Sequence, residues 1–137
     1  MVKFGNFEVE YNRNAPDKVS VRIETDDKGE VWLPKCDIAR AYGVFVQSVN
    51  AGLKSLAKTG DFDEYRDVRV EHFTYNGKDC SVDLYSLETI IALGFRMKGL
   101  KCEAFRKWAA RRLAESCEKK KSTVILCMSG EKRNNWN

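Results

Sequence analysis

Residues 32–56 read WLPKCDIARAYGVFVQSVNAGLKSL, and their apolar spacing predicts two short helices meeting at a tight corner. Pro34 suits a first helical turn, where the donor it lacks has no partner to lose. Ile38, Ala39 and Tyr42 share one helical face, and Ala39 is small enough for two helix backbones to approach closely. Gly43 follows where a left-handed residue ends the first helix. Val46, Val49, Leu53 and Leu56 then recur at three- and four-residue steps, a buried stripe for the second helix. Gln47, Ser48, Asn50, Ala51 and Lys54 are left for its outer face. Gln, Asn, Ser and Lys are side chains that read base edges or hold phosphates, so the pattern is that of a DNA-reading helix-turn-helix. The same stripe also fits a purely structural helical hairpin. Two features sit awkwardly with a reading helix. Gly52 in its middle costs about 1 kcal/mol relative to Ala, and Phe45 stands where a polar cap is expected.

Strands flank this pair. Phe4–Tyr11 alternates Phe7, Val9 and Tyr11 with Glu8 and Glu10, an expected edge strand. Asn12–Asp17 is expected as a turn, and Val19, Val21 and Ile23 mark a second strand. A hairpin turn at Asp26–Gly29 is expected to return Val31–Leu33 to that strand, giving a small antiparallel sheet that props the helices. Downstream, Gly60 ends the second helix and the acids after it are expected to form an exposed loop. Val68–Tyr75 and Cys80–Tyr85 read as two strands around Asn76-Gly77, both of which tolerate positive φ. This hairpin is the expected wing. Ser86 caps the next helix, with Glu88 in its first turn. Ile90, Ile91, Leu93 and Phe95 make that helix apolar on most faces. A last helix over Lys101–Glu118 carries Phe105, Trp108, Ala109 and Leu113 as its buried stripe. Glu103 and Lys107 are spaced for an ion pair.

The chain has 137 residues and 43% apolar residues, enough for one domain with a real core. The expected class is α+β: small antiparallel sheets, a winged helix-turn-helix-like core and a long C-terminal helix. Residues 1–121 form the expected domain. Residues 122–137 are the tail, with a short strand expected at Val124–Met128 and Trp136 near its end. No apolar run reaches membrane-span length, and the N-terminus lacks signal-peptide character, so a cytoplasmic protein without membrane contact is expected. The five cysteines at 36, 80, 102, 117 and 127 contain no C-x-x-C unit. With His72 as the sole histidine, no metal site and no cofactor is expected, and the thiols read as reduced. No nucleophile–base pair, paired carboxylates or phosphate-cradling glycine loop appears, so no enzyme activity is expected.

Net charge is +4 and unevenly placed. Residues 1–95 carry 12 Lys/Arg against 16 Asp/Glu, a balance of −4, and residues 96–121 carry 10 against 3, a balance of +7. Pro34–Lys58 is a second basic segment, with Lys35, Arg40, Lys54 and Lys58 against Asp37. Basic segments in an otherwise acidic chain suit a polyanion, though solvated helix faces also carry such charge. Gln47, Ser48, Asn50 and Lys54 are the candidate groove contacts, and Arg106, Lys107, Arg111 and Arg112 the candidate phosphate contacts. Double-stranded DNA is the expected partner, and two-fold operators favour a homodimer. The alternative is a protein-interaction module with Phe45, Trp136 and Val124–Met128 as its adhesive features.

Residues 82–113, VDLYSLETIIALGFRMKGLKCEAFRKWAARRL, resemble the RhuM family of bacterial and phage-associated proteins. The matching positions are Tyr85, Leu87, Glu88, Ile90, Ile91, Ala92, Gly94, Phe95 and Arg96, followed by Phe105, Arg106, Trp108 and Ala109. WLPKCDIARAYGV, residues 32–44, is similar to the family's upstream motif. The likeness spans about residues 19–115 and extends to phage antirepressor-type domains. It implies a DNA-binding or regulatory protein of a phage or mobile element; the protein-interaction alternative is a phage or mobile-element factor that binds a host or defence protein. Within these motifs Phe105 and Trp108 read as core; Arg96 reads as an internal or rim ion-pair residue, with acids such as Glu88 or Asp83 in reach, and Arg106 stays open between ion pairing and phosphate binding.

Overall fold

The computed structural model describes residues 4–12 and 14–120. The tail strand at Val124–Met128, Cys127 and Trp136 lie outside these residues. The chain is α+β, with five helices and two small antiparallel sheets among the described residues. β1 (Asn6–Asn12) and β2 (Ala15–Glu24) form the first sheet, with Phe7 opposite Ile23 and Val9 opposite Val21. The expected turn is shorter than Asn12–Asp17, because Asn12 already pairs with Ala15.

The segment after Gly29 does not return to β2. Asp26 closes its own loop, accepting the amides of Lys28 and Glu30 at 2.9 and 2.8 Å. The chain then leaves the first sheet, and β3 (Trp32–Leu33) joins β5 (Lys78–Ser86) instead, with Trp32 opposite Ser86 and Leu33 opposite Tyr85. The link back to the N-terminus is the Trp32 amide donating to the Phe4 carbonyl at 2.8 Å. β4 (Val68–Tyr75) completes the second sheet, in the order β3-β5-β4. Asn76 and Gly77 both take positive φ at the β4–β5 turn, as a two-residue loop between right-twisted strands demands.

α1 (Lys35–Tyr42) ends at Gly43, which is left-handed with φ 64° and ψ 37°. α2 (Val46–Lys58) starts three residues later, after Val44 and Phe45. The corner is held from outside. Lys101 lays its aliphatic stem against Gly43, and Gly99 faces Val44. α4 (Leu87–Gly94) begins at Ser86, whose hydroxyl accepts from the Thr89 amide at 3.3 Å. α5 (Leu100–Lys120) packs on β1 and β2. The core gathers Phe7, Tyr42 and Phe105, with ring centroids 5.4–5.7 Å apart in tilted and edge-on pairs. Ile38, Val49, Leu56, Ile90 and Leu93 fill the space around them.

Helix packing explains the glycine in α2. A Cβ at Gly52 would stand 2.7 Å from Leu93 Cδ2. The missing side chain is what lets α2 lie close on α4, so the helical penalty is offset by packing. The stripe expected on α5 stops early. Phe105 is buried and Trp108 partly so, but Leu113 is 45% exposed, because the helix outruns the layer it lies on. Val46 is likewise partly exposed at the start of α2.

The expected acidic loop after Gly60 contains a helical turn, α3 (Glu64–Asp67), capped by Asp63, whose side chain accepts from the Tyr65 amide. Asp67 is 2% exposed. Its carboxylate accepts from the Asp63 amide at 3.0 Å, from Arg66 Nη2 at 2.9 Å and from Ser86 Oγ at 3.0 Å. Ser86 commits its one proton to Asp67, so the Thr89 hydroxyl 3.1 Å away donates to it. A single buried carboxylate thus fastens α3 to the start of α4. Burial works against its charge, but these donors and the Arg66 cation outweigh that and hold its pKa below the usual carboxylate value.

Candidate nucleic-acid interface

α2 presents its side chains in two ways. Gln47, Ala51, Lys54 and Lys58 are exposed and follow one another at four-, three- and four-residue steps, one continuous stripe on a helix. No acid occurs within Val46–Lys58. The second row turns toward the β4–β5 hairpin. Asn50, Leu53, Lys54 and Ala57 line a groove of about 720 Å³, closed opposite by Val68, Val70, Asp83 and Tyr85 and at its end by Phe62, Glu64 and Tyr65. Lys35 lines it from α1 and sits 5.9 Å from the Tyr85 ring centroid.

The candidate groove contacts therefore divide. Gln47 and Lys54 face solvent, and Ser48 is half-buried. Asn50 is not on the outer face. It is half-buried beside the hairpin, and its Oδ1 is enclosed without a hydrogen-bond partner among the described residues. The cause is the roll of α2, which is set by Val49, Gly52, Leu53 and Leu56 on its buried side.

The arginines and lysine of α5 divide in the same manner. Arg106 is half-buried, and its Nη1 donates to the Gly94 and Met97 carbonyls, each at 3.0 Å. It thereby satisfies the Gly94 carbonyl at the end of α4 and the Met97 carbonyl in the connection to α5. Lys107 is exposed and reaches Glu103 Oε1 at 3.2 Å. Arg111 and Arg112 are exposed, the latter 5.6 Å from the Trp108 ring centroid. Arg96 is a rim brace, but its partners are neither Glu88 nor Asp83. It donates to Ser55 Oγ at 2.8 Å, to Thr59 Oγ1 at 3.1 Å and to Asp61 Oδ2 at 3.4 Å, tying the end of α2 to the α4–α5 connection.

Phe45, the residue before α2, is 81% exposed and makes no side-chain cap. It does not tuck into the core. Tyr65 on α3 is 98% exposed. Sequence reasoning passes over Tyr65 because it treats the acidic segment as loop. Asp63, a good N-cap residue, is the available signal for α3. Among the described residues, no group of three or more His, Cys, Asp or Glu side chains could hold a metal ion, and no helix is long and apolar enough to cross a membrane. Burial pushes the Cys102 thiol pKa up, with the Arg106 charge opposing. No family model, curated protein or solved structure matches the chain.

Proposed function

We propose that the chain is a non-enzymatic, cytoplasmic DNA-binding regulator that presents α2 to the major groove, with α1, the Gly43 corner and the β4–β5 hairpin as a winged helix-turn-helix-like frame. The observation that carries this reading is the exposed Gln47–Ala51–Lys54–Lys58 stripe, polar or basic at three positions, small at the fourth and unopposed by any acid of its own helix. Gln47 and Lys54 read base edges or hold phosphates, Ala51 allows close approach, and Lys58 neutralises phosphate. Ser48 and Asn50 flank this stripe instead of leading it. Lys101 sits at the corner, adding a cation beside the start of α2. Arg111, Arg112 and Lys107 are the proposed phosphate contacts on α5. Arg106 is a brace for α4 and leaves that set. The resemblance of residues 82–113 to the RhuM family supports a setting in a phage or mobile element.

The test is a titration of the full chain with a mixed-sequence duplex at two salt concentrations. Binding that weakens steeply with salt, and is lost in Lys54→Ala/Arg111→Ala, supports the reading. No binding at low salt overturns it.

A second reading rests on Phe45. A phenylalanine 81% exposed at the corner before α2 suits a protein partner, such as a host or defence factor, better than a phosphate backbone. Loss of partner binding in Phe45→Ala, with duplex binding absent in the parent chain, separates the two.

A further inference from the structure

We infer that β4 is the edge through which two copies of this chain pair, antiparallel, about a two-fold axis at Val70. β4 is the outer strand of its sheet. Tyr75 and Lys78 flank the two-residue Asn76-Gly77 loop, and the residues flanking such a loop exchange both their backbone hydrogen bonds. By alternation, Phe73, Glu71 and Arg69 bond to β5, while Val68, Val70, His72 and Thr74 turn their N–H and C=O groups away from it. Among the described residues nothing pairs with those groups, and they form an open ladder along a strand eight residues long.

Natural edge strands are usually protected by charged side chains, lysine above all, by proline or by a bulge; the charges of β4, Arg69 and Glu71, are opposite in sign and two positions apart. VRVEHFTY has neither lysine nor proline, and its pairing with β5 runs without a register shift from Val68 to Tyr75. Val70 is 50% exposed, and Phe73 and Tyr75 are exposed with it.

Charge selects the register and identifies the occupant as a second copy. With Val70 opposite Val70, Arg69 of each chain stands opposite Glu71 of the other, in the closely spaced non-hydrogen-bonded position. Sliding by one pairing step in either direction puts Arg69 against Arg69 or Glu71 against Glu71, which is unfavourable. The favoured register pairs Val68–His72 of one chain with His72–Val68 of the other, closing about six backbone hydrogen bonds. The inference does not rest on DNA binding. If both hold, the axis supplies the two-fold arrangement of α2 helices that a palindromic site requires.

The test is the solution mass of the full chain, free of nucleic acid, across a concentration series. The expected result is a rise from 15.7 kDa toward twice that mass. Val70→Pro removes only an outward-facing donor, a place where an edge strand tolerates proline, and is expected to hold the chain at monomer mass with an unchanged circular dichroism spectrum. Arg69→Glu is expected to weaken the dimer about tenfold, and Arg69→Glu/Glu71→Arg to restore it. This charge-reversal pair keeps the test intact should Val70→Pro fail to fold. A monomer at every concentration, or a dimer indifferent to both Val70→Pro and the charge reversals, overturns the inference.

Discussion

Tyr42 Oη donates to the Ile90 carbonyl at 2.7 Å, and a Cβ built on Gly94, one turn further along α4, would stand 2.6 Å from that same hydroxyl oxygen. The contact joins α1 to α4 in the centre of the core, beside Phe105. Burial lifts the Tyr42 pKa well above the ordinary phenol value, so the hydroxyl stays a donor throughout the working pH range. Tyr42→Phe is expected to cost about 1 kcal/mol, the worth of one buried hydrogen bond. Gly94→Ala meets both Tyr42 Oη and the Phe105 ring and is expected to cost about 3 kcal/mol despite alanine's better helix propensity. Denaturant unfolding of the two variants checks the order, and a Gly94→Ala variant as stable as its parent contradicts it.

Gly52→Ala is expected to be milder. The obstructing atom is Leu93 Cδ2, the end of a side chain that can shift, so a loss of about 1 kcal/mol is expected. Leu93→Val withdraws that methyl, and the double variant should lose less than the sum of the singles. Strict additivity in a double-mutant cycle would show that the α2–α4 contact is not the constraint on residue 52.

Asp67 sets an acid limit on stability. Its native pKa lies below the ordinary 3.8, so the unfolded chain takes up the proton first as pH falls. The contribution is complete above 3.8 and declines as pH drops through the lowered native value. Asp67→Asn leaves the Ser86, Asp63 and Arg66 donors short of a charged acceptor and is expected to cost about 2 kcal/mol at neutral pH. It should also flatten the decline below about pH 4, measured by unfolding free energy against pH. An unchanged acid limb in Asp67→Asn assigns the acid limit to other carboxylates.

Arg106 and Arg111 separate stability from charge. Arg106→Ala removes the donor to the Gly94 and Met97 carbonyls and is expected to cost about 2 kcal/mol. Arg111→Ala, on the exposed outer half of α5, should stay within about 0.5 kcal/mol. Thermal melts of both variants decide this, and equal melting temperatures contradict the brace.

Most of the secondary structure is legible in the sequence because local signals and packing agree there. Gly43, Asn76-Gly77 and Ser86 each need a conformation or a cap that few residues supply, and the structure places each in that role. Sequence and structure part where partners distant in the chain decide. Leu33 pairs with Tyr85, more than fifty positions away, which no turn signal near Gly29 encodes. Asp67 reads as one more loop acid, yet its burial depends on Ser86. On α2, spacing alone places Gln47 and Lys54 outward. It does not place Asn50, because its surroundings depend on how far the hairpin leans toward α2. The same applies to Arg106, whose acceptors are backbone carbonyls that no composition reveals.

On the proposed function, the outer stripe of α2 is the surface that meets DNA. Backbone amide shifts of the full chain, followed as a mixed-sequence duplex is added at low salt, test it most directly. The largest changes are expected on Gln47, Ala51, Lys54 and Lys58 and are expected to fade as salt is raised. Shifts confined to other surfaces, or none at saturating duplex, would contradict it.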